Sequence, residues 1–253
     1  MKRPIAACAA AIVMTAPVSS AHTGAEATLK LQGYELGRIA WTNDCRVQDQ
    51  GYGCPAIGGS PLDQSNRWGI YSYLIEPYSA GRAHNGTSGI KGRPVGQVRN
   101  LSFDYTTSGD IPPRSPRIEI VFTNGDYAFL AAPYCGNPIA VSDGQWSRAD
   151  FTGQRAVNGK TCGLWVNFGQ SWSFVSATAT KSAWKVFAGA NPDLVVQQAG
   201  WVYGGDDTAG LPGPPGECCD GEIGSVVMDR LAIHDHMWLA PNVVRHCPDE
   251  TTC

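Results

Sequence analysis

Residues 224–238 read GSVVMDRLAIHDHMW, with His234 and His236 two apart and Asp229 and Asp235 beside them. Imidazoles and carboxylates in one short stretch are the raw material of a metal site or of proton transfer. On a single extended strand, alternate side chains share a face. His234 and His236 would then point the same way, as a metal pair requires, together with Met228, Arg230, Ala232 and Trp238. Arg230 on that face would repel a cation, and spacing names no third ligand. The plainer reading is the wet side of a last β-strand. Asp229 would fall on the opposite, apolar face with Val227, Leu231 and Ile233. A buried Asp needs hydrogen-bond partners. Asp229 is therefore expected to tie down a loop, with a calcium ligand as the sharper alternative.

Calcium takes several hard oxygens from carboxylates and carbonyls. Asp206 and Asp207, in the oxygen-rich loop YGGDDTAG, have that chemistry but not the spacing of an EF-hand. The metal candidates are thus Asp206, Asp207, Asp229, His234 and His236. No cofactor is implied beyond the option of a structural calcium. Glycoside hydrolysis needs two carboxylates facing across a cleft, and no pair of acids alternates along one strand. Glu119 is the one acid inside a firm strand reading; the others, Asp104 among them, read as solvated loop residues. No G-x-S-x-G, H-E-x-x-H or P-loop pattern is present, so no catalytic residue is assigned.

Aromatic residues favour binding. The chain has 8 Trp and 9 Tyr. Flat rings with polar tips suit sugar faces, because they bury much area at low entropy cost. Trp68, Tyr71 and Tyr73 cluster on one candidate strand, Trp146 stands in the loop SDGQWSRAD, and Trp201 lies on a later strand. These five are the ligand-contact candidates, with Trp146 the best placed for exposure. Trp165 and Trp184 read as core.

The elements that must hold these residues are short β-runs between turn signals. PRIEIVFTNGDYAFLAAPYC is the clearest hairpin, with Asn124-Gly125 as a type I′ turn pair. TATKSAWKVFAGANPDLVV carries one helix: Ser182 caps it, Ala183, Trp184, Phe187 and Ala188 share a face, and Asn191-Pro192 stops it. No linker-like composition interrupts residues 28–240. The expected fold is all-β, a β-sandwich or jelly roll of residues 22–241 with one short helix, followed by a cysteine-pinned tail, residues 242–253.

Lys2 and Arg3, the apolar run Ile5 to Val18 and Ser19-Ser20-Ala21 read as a secretory signal over residues 1–21. The run is short for a membrane span, and no later apolar run is longer. Of 9 cysteines, Cys8 falls in the signal. The remaining Cys45, Cys54, Cys135, Cys162, Cys218, Cys219, Cys247 and Cys253 are even in number, which in an exported chain implies disulfides. They allow on the order of a hundred connectivities, so the pairing stays open. Zinc would want C-x-x-C spacing, which is lacking. Charged residues are 16% of the chain, the net charge is −3, and no run of Lys or Arg stands out. Nucleic acid and anionic membrane surfaces are poor partners for such a chain.

VRNLSFDY, PRIEIVFTNGDYAFLAAPYCG, GQWSRADFTG, SAWKVFAGANPDLVV and VMDRLAI follow in that order. Together they resemble secreted bacterial β-sandwich domains of the galactose-binding-like or concanavalin-like kind. The resemblance covers residues 95–235, and its motifs are structural. It implies the sandwich and a habit of binding extracellular glycans or surfaces; it fixes no ligand. The leading expectation is a secreted, non-catalytic binding protein for carbohydrate or another cell-surface polymer. A second is a secreted polysaccharide hydrolase or lyase using loop carboxylates or the two histidines. A third is a surface interaction protein with no small ligand.

Overall fold

The structure is a computed structural model that describes residues 29–34, 38–41, 60, 62, 69–73, 80–84, 90–108, 115–132, 136–138, 146–153, 163–204, 224–240 and 243–247. The candidate signal 1–21, Trp68, Asp206, Asp207 and every candidate disulfide cysteine except Cys247 lie outside the described residues.

In chain order the strands are β1 (Lys30–Tyr34), β2 (Arg38–Trp41), β3 (Ile70–Tyr73), β4 (Ala80–His84) and β5 (Leu101–Ser108). Then come β6 (Arg117–Phe122), β7 (Tyr127–Ala131), β8 (Gly136–Pro138), β9 (Ser147–Asp150), β10 (Gly163–Phe168) and β11 (Ser171–Ser176). The helix α1 (Ala183–Ala190) separates these from β12 (Val196–Gly204), β13 (Ser225–Ile233), β14 (His236–Ala240) and β15 (Val243–His246). One antiparallel sheet runs β1-β4-β12-β6-β7-β10-β11. The other runs β15-β14-β13-β5-β9-β8, with β3 joining β13 and β2 joining β3. The architecture is a β-sandwich.

Period-two alternation builds the core. Ile118, Ile120 and Phe122 of β6, Ala128 and Leu130 of β7, and Leu164 and Val166 of β10 face inward from the first sheet. Leu101 and Phe103 of β5 and Val226, Met228, Leu231 and Ile233 of β13 meet them from the second. Trp201 crosses the interface: its ring meets Phe103 edge-on at 6.3 Å and stacks on Tyr203 at 6.4 Å. It is fully buried, so it is a core residue and not a ligand contact. Trp146 is also buried, at 5% exposure, and cannot be the exposed ring of its loop.

The helix forms as its sequence directs. The Ser182 hydroxyl accepts from the Lys185 amide at 3.4 Å, Ala183, Trp184, Phe187 and Ala188 are buried, and Asn191 ends it. The hairpin β6–β7 forms too, but not through a type I′ turn. That turn needs positive φ at both central residues. Here Gly125 alone takes φ 89°, with its amide bonded to the Phe122 carbonyl and the Phe122 amide bonded to the Asp126 carbonyl. The loop is a three-residue connection closed by a left-handed glycine. The type I′ geometry belongs instead to Gly169 and Gln170, φ 54° and 70°, joining β10 to β11. The first two strands, β1 and β2, enter different sheets. Within the expected C-terminal tail, Val243–His246 extends the second sheet as its edge. Buried Cys247 follows directly, packed with Ala232 and Met237.

Truncating the ring that joins the two sheets removes contacts on both sides. Phe103→Ala is expected to lower the unfolding free energy by about 3–5 kcal/mol, read from the denaturant midpoint at unchanged slope. A loss under about 1 kcal/mol would mean that the two sheets do not meet there.

Candidate functional site

Residues 224–238 do not form one strand. A bulge interrupts β13: its pairing with β5 shifts register between Asp229 and Ala232, and Arg230 takes φ 49°. An extra residue in a strand turns the side chains that follow onto the other face. Met228 before the bulge and Leu231 after it therefore both enter the core, while Asp229 and Arg230 leave on the opposite face. Asp229 is thus not on the apolar face, as simple alternation would have it.

On that opposite face Asp229 stands directly across from Asp104 of β5, and Asp104 across from Arg148 of β9. Asp104 is a buried strand residue, not a solvated loop acid. Ser60 bridges the two acids. Its amide donates to Asp229 Oδ2 at 2.6 Å and its hydroxyl donates to Asp104 Oδ2 at 2.6 Å. Arg148 Nη1 lies 3.3 Å from Asp104 Oδ1, and Arg230 Nη1 lies 3.7 Å from Asp104 Oδ2. Burial pushes the Asp104 carboxyl above its ordinary value against Arg148, the Ser60 hydroxyl and Arg230, which pull it down. Ser60 and Asp104 are fully buried and Asp229 is 3% exposed. Two facing carboxylates are what a glycosidase needs, but these are occupied by donors and closed to solvent. Their chemistry is attachment. Asp229 ties down a remote segment, as a buried Asp should, through a residue 169 positions away.

The histidines fare differently. The chain reverses at His234 and Asp235, so Ile233 of β13 pairs with His236 of β14. His234, at φ 58°, holds the first central position of a two-residue turn, where type II′ requires positive φ. Its amide donates to the Asn100 carbonyl at 3.0 Å, and the Asn100 side-chain amide donates to the His234 carbonyl at 2.7 Å. His234 is 4% exposed, and its Nδ1 has no hydrogen-bond partner among the described residues. Burial, then the charges of Arg93 and Arg99, push its pKa from 6.5 down to about 4, against the pull of Asp235. His236 instead bonds the Asp235 carboxylate at 2.6 Å and stacks on Trp238. Burial raises the Asp235 carboxyl, but the two histidines outweigh it and leave it below its usual value. The imidazoles therefore do not share one strand face. Among the described residues no group of three His, Cys, Asp or Glu side chains is arranged to hold a metal.

A third feature was not legible as a site. The outer face of β7, β10 and β11 carries a ladder of rings: Tyr127, Phe129, Trp165, Trp172 and Phe174. Cross-strand register brings Trp165 opposite both Phe129 and Phe174. Ring centroids lie 5.1 Å apart for Tyr127 and Trp172, 5.2 Å for Phe129 and Trp172, and 5.0 Å for Trp165 and Phe174. Arg117 covers the inner end, its guanidinium 4.2 Å from the Phe129 ring. Phe129 is buried, Tyr127, Trp165 and Trp172 are half-buried, and Phe174 is 41% exposed. Trp165, expected in the core, is a member of this outer ladder. At the end of the ladder an open cleft of about 360 Å³ is lined by Tyr127 and Trp172 with Asn124, Asp126, Asn167 and Gln170. Asp126 is fixed there: its Oδ2 accepts from the Asn124 side-chain amide at 2.7 Å and its Oδ1 from the Gly169 amide at 2.9 Å. Rings stand beside amides and a carboxylate whose own hydrogen bonds are already set.

Of the aromatic ligand candidates, Trp146 and Trp201 are core, and Tyr71 and Tyr73 contribute β3 backbone paired with β2 and β13, while their side chains lie outside the description. The ladder was missed because β11 itself was missed; the alternation S-W-S-F-V-S after Gly169-Gln170 was the available signal. No protein-family model, curated protein or solved structure matches the chain.

His234 makes stability depend on pH with a fixed sign. Its folded pKa lies below the unfolded value, so the unfolded chain binds the proton more readily. Its contribution is complete above pH 6.5 and is lost as pH falls toward about 4. Denaturant midpoints should drop across that window, and His234→Asn, which tolerates the left-handed turn, should flatten the drop. An equally steep drop in the variant would place its origin elsewhere.

Proposed function

We propose that this chain is a secreted, non-catalytic carbohydrate-binding protein whose ligand lies along the aromatic ladder of β7, β10 and β11. The observation that carries the reading is Trp172, which borders both the ladder and the polar cleft. Sugar rings have apolar faces and polar rims. A surface that binds them needs flat rings for the first and prepositioned amides and carboxylates for the second. The ladder supplies the rings, and Asn124, Asp126, Asn167 and Gln170 supply the polar groups. The facing acids Asp104 and Asp229 are sealed and bonded, which weighs against hydrolysis through them.

Export through residues 1–21, disulfides among the eight cysteines and the likeness to galactose-binding-like or concanavalin-like domains belong to the same reading. Burial of Cys247 at the end of β15 is in keeping with a structural role for that cysteine. No helix among the described residues is long and apolar enough to cross a membrane.

The test is retention of the chain on a panel of insoluble and soluble polysaccharides, with and without EDTA. Retention on at least one neutral polymer is expected, with Trp172→Ala weakening it about 10- to 100-fold and Phe174→Ala less. Each truncation also removes ring contacts within the ladder, so retention is compared under conditions where the denaturant midpoint shows the variant fully folded. The reading fails if no polymer retains the chain, or if one does and Trp172→Ala leaves retention intact.

A further inference from the structure

The strands β14 and β15 bring together a pair of imidazoles that spacing along the chain does not announce. Antiparallel register sets His236 directly across from His246. Residues so opposed share a face, with Cβ atoms about 4.5–5.5 Å apart. The two rings lie 6.1 Å apart between centroids and meet edge-on, at 81°. Two imidazoles bound to one metal ion, at about 2.0–2.1 Å per nitrogen, hold their centroids roughly 5–6.5 Å apart. The observed spacing falls inside that range.

The surroundings of the pair suit the same chemistry. His236 Nδ1 lies 2.6 Å from Asp235 Oδ1. An ionised carboxylate only accepts, so Nδ1 of the neutral ring carries the proton and Nε2 keeps its lone pair. A carboxylate behind an imidazole is the usual outer partner of a metal-bound histidine: it fixes the tautomer and the ring plane and makes the other nitrogen a better ligand. Trp238 supports the His236 ring by stacking, with centroids 5.8 Å apart. His246 is exposed, and its imidazole makes no hydrogen bond to the described residues. The backbone beside the pair is fixed, since the amide of buried Cys247 donates to the Asp235 carbonyl at 2.8 Å. Arg245 pairs with Met237, one position on, so alternation sends its charge to the other face.

We propose that His236 and His246 bind one late first-row divalent cation, Zn²⁺, Ni²⁺ or Cu²⁺, with Asp235 as the outer partner of His236. Imidazole suits these ions, whereas Ca²⁺ and Mg²⁺ take oxygen ligands. No third His, Cys, Asp or Glu converges among the described residues, so water fills the remaining positions and the site is open. The ion clips β15, the edge of the second sheet, onto β14. Buried His234 takes no part.

Cu²⁺, Ni²⁺, Zn²⁺ and Ca²⁺ are titrated separately into the full chain by calorimetry, and the imidazole resonances are followed by NMR as Zn²⁺ is added. Saturable binding of the three transition metals is expected, tightest for Cu²⁺, with no binding of Ca²⁺ in competition with Zn²⁺. Zn²⁺ should shift the resonances of His236 and His246 and leave His234 in place. His236→Ala and His246→Ala should each weaken binding at least about tenfold, and Asp235→Asn about tenfold. His246 is exposed, so His246→Ala should keep the parent's denaturant midpoint without metal; Zn²⁺ should raise the midpoint of the parent and not of this variant. Absence of saturable binding overturns the proposal, as does binding that survives both histidine variants or resonance shifts confined to other histidines. Trp172→Ala should leave metal binding unchanged, so failure here leaves the ladder reading standing, and failure of the ladder leaves this one.

Discussion

Two carboxylates face each other on adjacent central strands of the second sheet, and neither reaches water. An unpaired buried charge is so costly that a carboxyl would rather take up a proton than remain alone. Asp104 and Asp229 therefore dictate what surrounds them. Arg148 must stand opposite on β9. Ser60 must come from far away in sequence to bridge the pair with its amide and hydroxyl. Arg230 must turn to the same side as Asp229, its immediate neighbour, which regular alternation forbids. The bulge resolves that conflict, and by inserting one residue it also returns Leu231 and Ile233 to the core. The register of β13 against β5, and with it the packing of the second sheet, follows from neutralising one pair of acids.

Much of the architecture can be read from the chain because it rests on local signals. The alternation of Ile118, Ile120 and Phe122, the Ser182 cap and the apolar face of Trp184 and Phe187 each belong to one short segment. What escapes such reading depends on partners distant in sequence. The bulge at Asp229 and Arg230 is invisible to a period-two pattern, so a reading that correctly turns Leu231 and Ile233 inward puts Asp229 and Met228 on the wrong faces. The turn at His234 and Asp235 has no glycine to announce it; its left-handed residue is held by Asn100, more than a hundred positions away. Asn124-Gly125 carries a strong turn signal, yet the loop length chose a different turn, and Gly169-Gln170 took the geometry expected there. Trp146 and Trp201 were candidate contacts by residue type alone, and burial is a property of the assembled sheets. The aromatic ladder needs three strands in register before it exists.

Two clefts divide the polar chemistry of the molecule. Beside the ladder the ionic group is Asp126, held by an amide side chain and a backbone N–H. A second cleft lies between the 3-10 turn Val95–Gln97 and α1, and its ionic groups are Arg99 and Lys185. A net charge near zero hides this separation, because the formal sum says nothing about where the charges lie. The helix contributes to both arrangements. Phe187 packs against Phe122 and Phe168 under the ladder's sheet, and the buried Trp184 indole donates to the Val98 carbonyl beside the second cleft.

Asn100 and His234 exchange hydrogen bonds through backbone and side chain while both sit in left-handed backbone, φ 53° and 58°. Each position is tolerable because the other is present. In evolutionary terms they form a single heritable unit. Asn100 also sits in an Asn-Leu-Ser triplet, but its amide nitrogen is spent on the His234 carbonyl in a buried site, so the triplet is a by-product of that partnership. A lineage that drifts at one of the two positions carries a penalty until the other follows. Paired change at these two sites, far apart in the chain, would mark descent of this hairpin more durably than the identity of either residue.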